Sequence, residues 1–205
     1  MNRQVIVDYI GSIQFTPEQI NESISKNDGK LIVSGVMQRA SSGNEKNFNQ
    51  NGRSYPLPIL KRESEKYKNV FVKERRALGE LDHPDSQVVN LSNVSHNIVD
   101  LWWDGNDLMG KIEILSTPSG NIAKELLKSG IRLGISSRGM GSVKNLGEGK
   151  VEVQDDFEIV CWDLVSNPST QGAFMDQMKE SVGTKKQTNK YAKVNSLISD
   201  IISIM

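Results

Sequence analysis

The sequence predicts an α+β protein built mainly from antiparallel strands, arranged in a closed or nearly closed, barrel-like sheet that is flanked by helices. Three observations lead to this class. Predicted strands outnumber predicted helices, neighbouring strands are joined by hairpin-type turns, and there is neither a strand–helix–strand alternation nor an internal repeat. A chain of 205 residues is long enough for one domain with a sizeable core.

The first third of the chain predicts one strand, one loop and one helix. Residues 1–28 are mixed and polar and indicate no clear element. Leu, Ile and Val dominate residues 30–37, which favours a strand, whereas residues 40–52 are rich in Ser, Asn and Gly, as loops are. Residues 56–67 begin with prolines and carry charges along their length, which favours a helix.

A hairpin and a capped helix follow. Residues 91–103 and 108–115 are expected to pair, because Asp104 and Gly105 tolerate the positive φ angles of a tight turn. Residues 116–119 offer caps for the next helix, and Gly130 is a natural stop. The apolar face of this helix is expected to consist of Ile122, Ala123, Leu126 and Leu127.

The second half of the chain predicts more strands and then a change of character. Residues 132–143 and 151–153 are expected to pair through the loop 144–150, and residues 157–165 form a further strand. Residues 181–193 are polar and basic, as linkers are, and apolar side chains then recur at helical spacing. These apolar side chains are Val194, Leu197, Ile198, Ile201, Ile202 and Met205.

We therefore divide the chain into a folded domain (residues 1–175), a polar linker (176–193) and a C-terminal amphipathic helix (194–205). The helix either docks on the domain or acts as a detachable tail that binds a partner.

Composition argues against several classes of function. The 25 basic and 25 acidic residues balance, so no global field attracts nucleic acid or a membrane. Cys161 is the only cysteine, which argues against a disulfide framework or a cysteine metal site and favours a small buried side chain. Neither a signal-peptide apolar region nor an 18-residue apolar run is present, so the cytosol is the expected location.

Three separate segments carry the residue types of a serine hydrolase. Residues 79–84 contain His83, residues 134–142 contain Ser136 and Ser137, and residues 157–163 end at Asp163. A serine hydroxyl is a weak nucleophile that needs a base, and the base needs an acid to hold it. The order His, Ser, Asp is unusual, but triads are recognised by geometry and not by order.

The histidines also have structural explanations. His83 precedes Pro84, so its backbone is extended or in a turn, which suits a surface histidine as well as a base. His96 lies in a strand-like run and is either a rival base or a simple sheet residue.

The same holds for the serines and the acid. Ser136 and Ser137 point to opposite faces of a strand, so only one of them faces a given site. Glycines at 134, 139 and 141 favour a site there, because a strand glycine lets another backbone or a ligand approach closely. Asp163 ends an apolar run and needs a partner such as histidine; alternatively, it caps the turn at residues 166–169.

Five blocks of the sequence follow the order of a known family. They are residues 51–56 (NGRSYP), 77–84 (ALGELDHP), 102–107 (WWDGND) with Gly110, 134–142 (GISSRGMGS), and Asp163 with Val165, Pro168 and Ser169. In these blocks the chain resembles the prohead core proteases of large tailed bacteriophages of the T-even type. The fold of that family resembles the herpesvirus maturation protease.

The resemblance implies a serine protease that needs no cofactor or metal. His83 corresponds to the base of the family, Ser136 to its nucleophile and Asp163 to the third member of the triad. The histidine block of the family can carry Asn where this chain has Asp82.

The resemblance also suggests residues around the triad. Backbone N–H groups near Arg138 and Gly139 are expected to bind the oxyanion. Arg138, Arg53 and Arg132 are candidates to bind a substrate glutamate.

The family acts inside the prohead, in the host cytoplasm, and cleaves scaffold and capsid proteins after a glutamate that follows a large apolar residue by two positions. These proteins are the expected partners; self-association is compatible with that role, and neither nucleic acid nor membrane is expected. Residues 178–181 (MKES) fit the rule, so we expect self-cleavage between Glu180 and Ser181. Residues 20–23 (INES) and 146–149 (LGEG) fit it too.

Two other functions stay open. A metal-dependent hydrolase would use His83, Asp85, Asp82 and His96 as ligands, although their spacing matches no strong ligand motif. A non-enzymatic scaffold or core component of the prohead would carry a lapsed site, and the presence of all three triad blocks argues against it.

Overall fold

The computed structural model describes residues 4–13, 16–43, 46–84, 86–166 and 175–176. The helices are α1 (Pro17–Lys26), α2 (Leu57–Tyr67) and α3 (Pro118–Lys128). The strands of the first half are β1 (Gln4–Ile13), β2 (Leu31–Arg39), β3 (Arg53–Ser54), β4 (Leu78–Glu80), β5 (Val94–Asp104) and β6 (Asp107–Ile114). Those of the second half are β7 (Leu133–Gly141), β8 (Val143–Gly147), β9 (Lys150–Val153), β10 (Glu158–Val165) and β11 (Met175–Asp176).

The described strands form three sheets. One has the order β1-β7-β10, the second β11-β2-β6-β5-β4, and the third β3-β9-β8. All the strand pairs of the first two sheets are antiparallel, and β3 pairs with β9 in parallel. The predicted α+β class with a mainly antiparallel arrangement is therefore confirmed.

The predicted closure of the sheet is not established by these pairings. An isolated bridge between Leu81 and Leu164 connects the end of β4 to β10, and so links two of the sheets at one point. The barrel-like arrangement stays a prediction.

The N-terminal region contains two elements that the sequence analysis missed, β1 and α1. The local signal for α1 is a capping box: the Gln19 N–H donates to Thr16 Oγ1 (3.3 Å), and the Thr16 N–H donates to Gln19 Oε1 (2.9 Å). Pro17 at the first helical position strengthens that signal. β1 had a local signal as well, the strand formers Val5, Ile6 and Val7, which was overlooked; its pairing with β7, more than a hundred residues away, had none.

The central hairpin forms as predicted. β5 and β6 pair in antiparallel fashion around a turn in which Gly105 has a φ of 58°. The residues before it differ from the prediction, because Leu91–Asn93 form a 3₁₀ turn and the strand starts at Val94.

Helix α3 forms where it was predicted, but its buried face is rotated. The Gly120 N–H donates to the Thr117 side chain at its start, and Gly130 follows its end with a φ of 75°. The buried residues are Gly120, Ala123 and Leu127, whereas Ile122 is 55% exposed, so including Ile122 in the apolar face was wrong.

The predicted strand 132–143 ends at Gly141 and a second strand, β8, starts at Val143. Ser142 marks the break, since its N–H and its hydroxyl both donate to Asp156 Oδ1. The predicted pairing of residues 132–143 with 151–153 is wrong for all but Val143, because β7 pairs with β1 and β10. The partner of β9 is β8, which includes residues 144–147 of the predicted loop.

The predicted linker 176–193 and helix 194–205 lie almost wholly outside the described residues, so the domain division is not tested. None of the described helices is long and apolar enough to cross a membrane.

Candidate active site

Strand β7 is the middle strand of its sheet and sets the position of the serine. Ser136 pairs with Asp163 of β10, and Ser137 pairs with Trp162. Directly opposed residues in an antiparallel pair share one face of the sheet, so Ser136 and Asp163 lie on one face and Ser137 lies on the other. Trp162 is fully buried and packs edge-on against Tyr67, which places Ser137 on the core side.

A turn after β4 carries His83 to the same face. The Asp82 N–H donates to the Leu164 carbonyl oxygen at 2.7 Å, next to Asp163 in the chain. Asp82 has a φ of 67°, which aspartate tolerates better than most residues, and its carboxylate accepts the His83 N–H at 2.9 Å. Asp82 therefore acts in the turn that presents His83.

The three side chains form one line of hydrogen bonds. Ser136 Oγ is 3.3 Å from His83 Nε2, and His83 Nδ1 is 2.7 Å from Asp163 Oδ2. When Nδ1 carries its proton toward Asp163, Nε2 is left to accept the Ser136 hydroxyl proton. Ser136 and Asp163 are 0% exposed, and the His83 side chain is 3% exposed.

Asp163 is buried yet held in its ionised form. Burial by itself raises its pKa, but the His83 hydrogen bond, the Arg138 charge and the Glu80 N–H outweigh burial and bring the pKa below its usual value. The Glu80 N–H donates to Asp163 Oδ1 at 2.9 Å. Asp163 therefore carries a negative charge at neutral pH.

The predicted substrate role of the Arg138 side chain is not compatible with its position. Arg138 is 0% exposed and forms ion pairs with Glu80 (2.8 Å) and Asp163 (3.1 Å). Its guanidinium is directed into the protein and toward the triad acid, so it is not available to a substrate glutamate.

The absence of a side chain at Gly139 has a packing explanation, and the oxyanion role of the backbone near it stays a prediction. A Cβ at Gly139 would lie 2.4 Å from the Phe157 ring, so the glycine makes room for that ring. Gly139 also pairs with both flanking strands, opposite Ile6 of β1 and Ile159 of β10. Arg53 lies in β3 beside Val151, in a sheet separate from that of Ser136.

His96 is a buried strand residue with both ring nitrogens engaged. Nδ1 is 2.9 Å from Ser95 Oγ, and Nε2 is 3.0 Å from the Trp162 carbonyl oxygen. Burial lowers the pKa of His96 to about 4, so the ring is neutral at neutral pH. Of its two predicted roles, the geometry favours the sheet residue.

No group of three or more metal-ligating side chains occurs in the part of the chain that the structure describes. Asp85, one of the proposed ligands, is outside that part, as are Glu180 and Ser181 of the expected self-cleavage site. The ring nitrogens of His83 face Ser136 and Asp163 instead.

Two residues near Ser136, His83 and Asp163 were missed by sequence reasoning. Cys161 is fully buried, and its Sγ lies 3.3 Å from Asp163 Oδ1; burial raises the pKa of this thiol well above its usual value and keeps it neutral. Glu80 is fully buried beside Arg138. The position of Cys161 could have been predicted from the sequence, because residues two positions apart in a strand share a face, and Cys161 is two positions before Asp163.

The order of bonding, hydroxyl to imidazole to carboxylate, is the geometry by which Ser-His-Asp hydrolases are recognised. The chain belongs to the prohead core protein serine protease family, whose model matches residues 14–185. The family resemblance inferred from the sequence blocks is confirmed.

Two relatives support this membership. The chain is 32% identical over 163 residues to the prohead core protein protease of Enterobacteria phage T4, covering 74% of each chain. Its fold is similar to the solved structure of the bacteriophage T4 capsid assembly protease, gp21, with a TM-score of 0.67, 27% identity, and coverage of 82% of this chain and 100% of the other.

Proposed function

We propose that this chain is a serine endopeptidase of the phage prohead, with Ser136 as nucleophile, His83 as general base and Asp163 as the acid that orients the base. The observation that carries the proposal is the line of two hydrogen bonds, 3.3 Å from Ser136 Oγ to His83 Nε2 and 2.7 Å from His83 Nδ1 to Asp163 Oδ2.

The chemistry follows from these contacts. His83 Nε2 takes the hydroxyl proton as Ser136 Oγ attacks the scissile carbonyl carbon, and the proton then passes to the leaving amine. Asp163, held ionised by its surroundings, stabilises the imidazolium that forms between these steps. Water then attacks the acyl-enzyme with His83 again as the base, which restores Ser136.

The burial of Ser136 adds a step before chemistry. With this residue 0% exposed, a peptide reaches its Oγ only when the chain around it moves.

The substrates that fit this family membership are the scaffold and capsid proteins of the prohead, cut after a glutamate that an apolar residue precedes by two positions. The two relatives, a prohead core protein protease and a capsid assembly protease, support this class by their names. Because Arg138 is engaged inside the protein, Arg53 and the exposed Arg132 are the remaining candidates to bind the glutamate.

We further propose self-processing, with Glu180–Ser181 as the preferred bond. The other two matching bonds are less suitable. Glu22–Ser23 lies within α1, where Ser23 is buried and its hydroxyl donates to the Ile32 carbonyl oxygen. Glu148–Gly149 lies in the tight turn between β8 and β9, where both residues have positive φ. Extended, accessible chain is the preferred substrate of proteases.

The two neighbouring serines provide a matched test. Ser136→Ala should abolish cleavage of an apolar-x-Glu peptide, since loss of the nucleophile costs on the order of a million-fold in kcat. Ser137→Ala removes a hydroxyl from the opposite face and should keep most of the activity. Steady-state kinetics of both purified variants decide the assignment. Full activity in Ser136→Ala, or loss confined to Ser137→Ala, would contradict it.

A further inference from the structure

The Arg138 side chain connects parts of the site that are distant in sequence. Its Nε lies 3.1 Å from Asp163 Oδ2, and its Nη2 lies 3.2 Å from Asp163 Oδ1. Nη1 donates to the carbonyl oxygens of Ser86 (3.0 Å) and Val88 (3.3 Å), which belong to the loop after His83. One guanidinium thus holds the triad acid on one side and the loop that follows the triad base on the other.

From these contacts we propose that Arg138 is a positioning residue for the hydrolysis: it sets the orientation of Asp163 and, through the loop after His83, the placement of the imidazole. The inference rests on the proposed function, because it assigns Arg138 to the same triad. Arg138 touches neither Ser136 nor the His83 ring in the contacts described above, so it acts through Asp163 and the loop.

The guanidinium of Arg138 meets the Asp163 carboxylate through two of its nitrogens. Nη2 of Arg138 donates to Asp163 Oδ1, while Nε lies within ion-pair distance of Asp163 Oδ2 and donates its N–H to Cys161 Sγ at 3.2 Å. A planar guanidinium provides this set of directed contacts and an ammonium does not. With both oxygens engaged, the carboxylate plane cannot rotate freely. The Asp163 Oδ2 that meets His83 Nδ1 is thereby aimed at the ring.

His83 lies between two anchors. On one side the Asp82 N–H donates to the Leu164 carbonyl oxygen, next to Asp163. On the other side, Ser86 and Val88 are held by Arg138. The first contact attaches the residue before His83 to β10, and the second attaches the loop after His83 to β7. The histidine is therefore placed relative to the two strands that carry Asp163 and Ser136.

The buried charges around Arg138 also support the proposal. Glu80 and Asp163 are both 0% exposed, and Arg138 is the cation that faces both of them. Glu80 Oε1 also accepts the Asn90 N–H at 3.0 Å, which attaches the end of the same loop to the ion pair. A buried charge is stable only when it is paired, and the single positive charge of Arg138 faces both carboxylates of this cluster.

The test uses Arg138→Lys, which keeps the charge and removes the planar fork. We expect kcat for an apolar-x-Glu peptide to fall about 100-fold with KM little changed, since small displacements of catalytic groups cost about that much. The matched control is Arg39→Lys. Arg39 forms a similar fork on Asp107, with contacts of 2.6 and 2.9 Å, between β2 and β6. It should leave kcat unchanged.

A second readout does not depend on cleavage. In the Ser136→Ala chain, the His83 Nδ1 proton that bonds Asp163 should give a downfield proton resonance in nuclear magnetic resonance spectra. His83→Gln identifies this resonance by removing it, which separates it from that of His96. We expect Arg138→Lys to shift or broaden the His83 resonance and Arg39→Lys to leave it in place.

A double variant tests the same inference if Arg138→Lys fails to fold. Glu80→Gln with Arg138→Gln removes one positive and one negative charge together, so the net charge of the cluster is unchanged and Glu80 is not left as a buried charge without its cation; Asp163 keeps its hydrogen bonds to His83 and to the Glu80 N–H. We expect this variant to fold, to lose about 100-fold in kcat, and to show a displaced His83 resonance. If Arg138 only stabilised the fold, the folded double variant would have wild-type kcat.

The outcomes separate this inference from the proposed function. A wild-type kcat and an unchanged His83 resonance in folded Arg138→Lys or in the double variant overturn the inference, even when Ser136→Ala is inactive. A displaced resonance with reduced kcat supports it. If Ser136→Ala stays active, the proposed function fails, and a displaced resonance then supports only the placement of Asp163 and His83 by Arg138.

Discussion

His83 and His96 are the two histidines of the chain, and their surroundings give them different chemistry. His83 has one nitrogen toward an ionised carboxylate and the other toward a hydroxyl. His96 has its nitrogens toward a hydroxyl and a backbone carbonyl and is enclosed by the sheet. The residue type alone therefore did not decide which histidine suits the role of base.

The burial of His96 predicts a loss of stability in mild acid. Its pKa is about 4 in the folded chain, against 6.5 in an exposed histidine. Between these values the unfolded chain binds a proton that the folded chain does not, so stability falls as the pH falls; we expect a loss of about 2 kcal/mol from pH 7 to pH 5. The lowered pKa of Asp163 acts separately, because its contribution is lost only below its usual value of 3.8.

Urea unfolding of the Ser136→Ala chain, which avoids self-digestion, measures this loss. His96→Gln keeps a donor for the Trp162 carbonyl oxygen and removes the titrating group, so its stability should vary less between the two pH values. An equal dependence on pH in both chains would show that another group is responsible.

At the scale of elements, the contact between β4 and β10 governs how His83 reaches the triad. Gly79 of β4 lies against the Trp162 carbonyl oxygen and the His96 ring. A Cβ at Gly79 would lie 2.1 Å from that oxygen and 2.4 Å from ring atoms of His96, so no larger residue fits without moving the strand. His83 follows only four positions later and would move with it.

Gly79→Ala should therefore affect both stability and activity. We expect the free energy of unfolding to fall by about 3 kcal/mol, as in other overpacked sites, and kcat to fall in the fraction that stays folded. Gly105→Ala is the comparison, because it has open space around it and a φ of 58°, and should cost only about 1 kcal/mol. Denaturant unfolding and peptide cleavage measure the two effects. Equal losses in the two variants would argue against the close contact at β4.

At the scale of the whole molecule, the site depends on strands from distant parts of the chain. β7 lies between β1 and β10, and His83 enters from the turn after β4. Arg138 and Glu80 connect β7 to β4 behind the proposed triad. Movement of one strand against another would therefore change the distances between the proposed catalytic groups.

Self-processing is the prediction for the whole chain. Incubated active protein should release a fragment that begins at Ser181, and the Ser136→Ala chain should stay intact, because the bond after Glu180 fits the proposed rule and precedes a polar stretch. Intact-mass analysis of the two samples distinguishes these products. Active enzyme that retains its last 25 residues, 181–205, without such a fragment would contradict the prediction. Replacing the acid, as in Glu180→Gln, should block the cut without changing the cleavage of a separate peptide.

Local patterns were sufficient for part of the fold. The central hairpin and α3 were predicted because turn and cap residues act within a few positions, and α1 had a usable capping box that was overlooked. The pairing of β1 with β7 was not predictable in this way, since partners so far apart in sequence leave no local signal.

The sequence by itself determined the family, the mainly antiparallel class and the three residues proposed for the triad, because these depend on residue types in recognisable blocks. Only the tertiary structure decided that Ser136 faces Asp163, that His83 lies between them, and that Arg138 points into the protein. The physical reason is that side chains alternate between the two faces of a strand, so the sequence predicts which residues share a face. The register between strands and the packing of the sheets decide which other residues that face contacts.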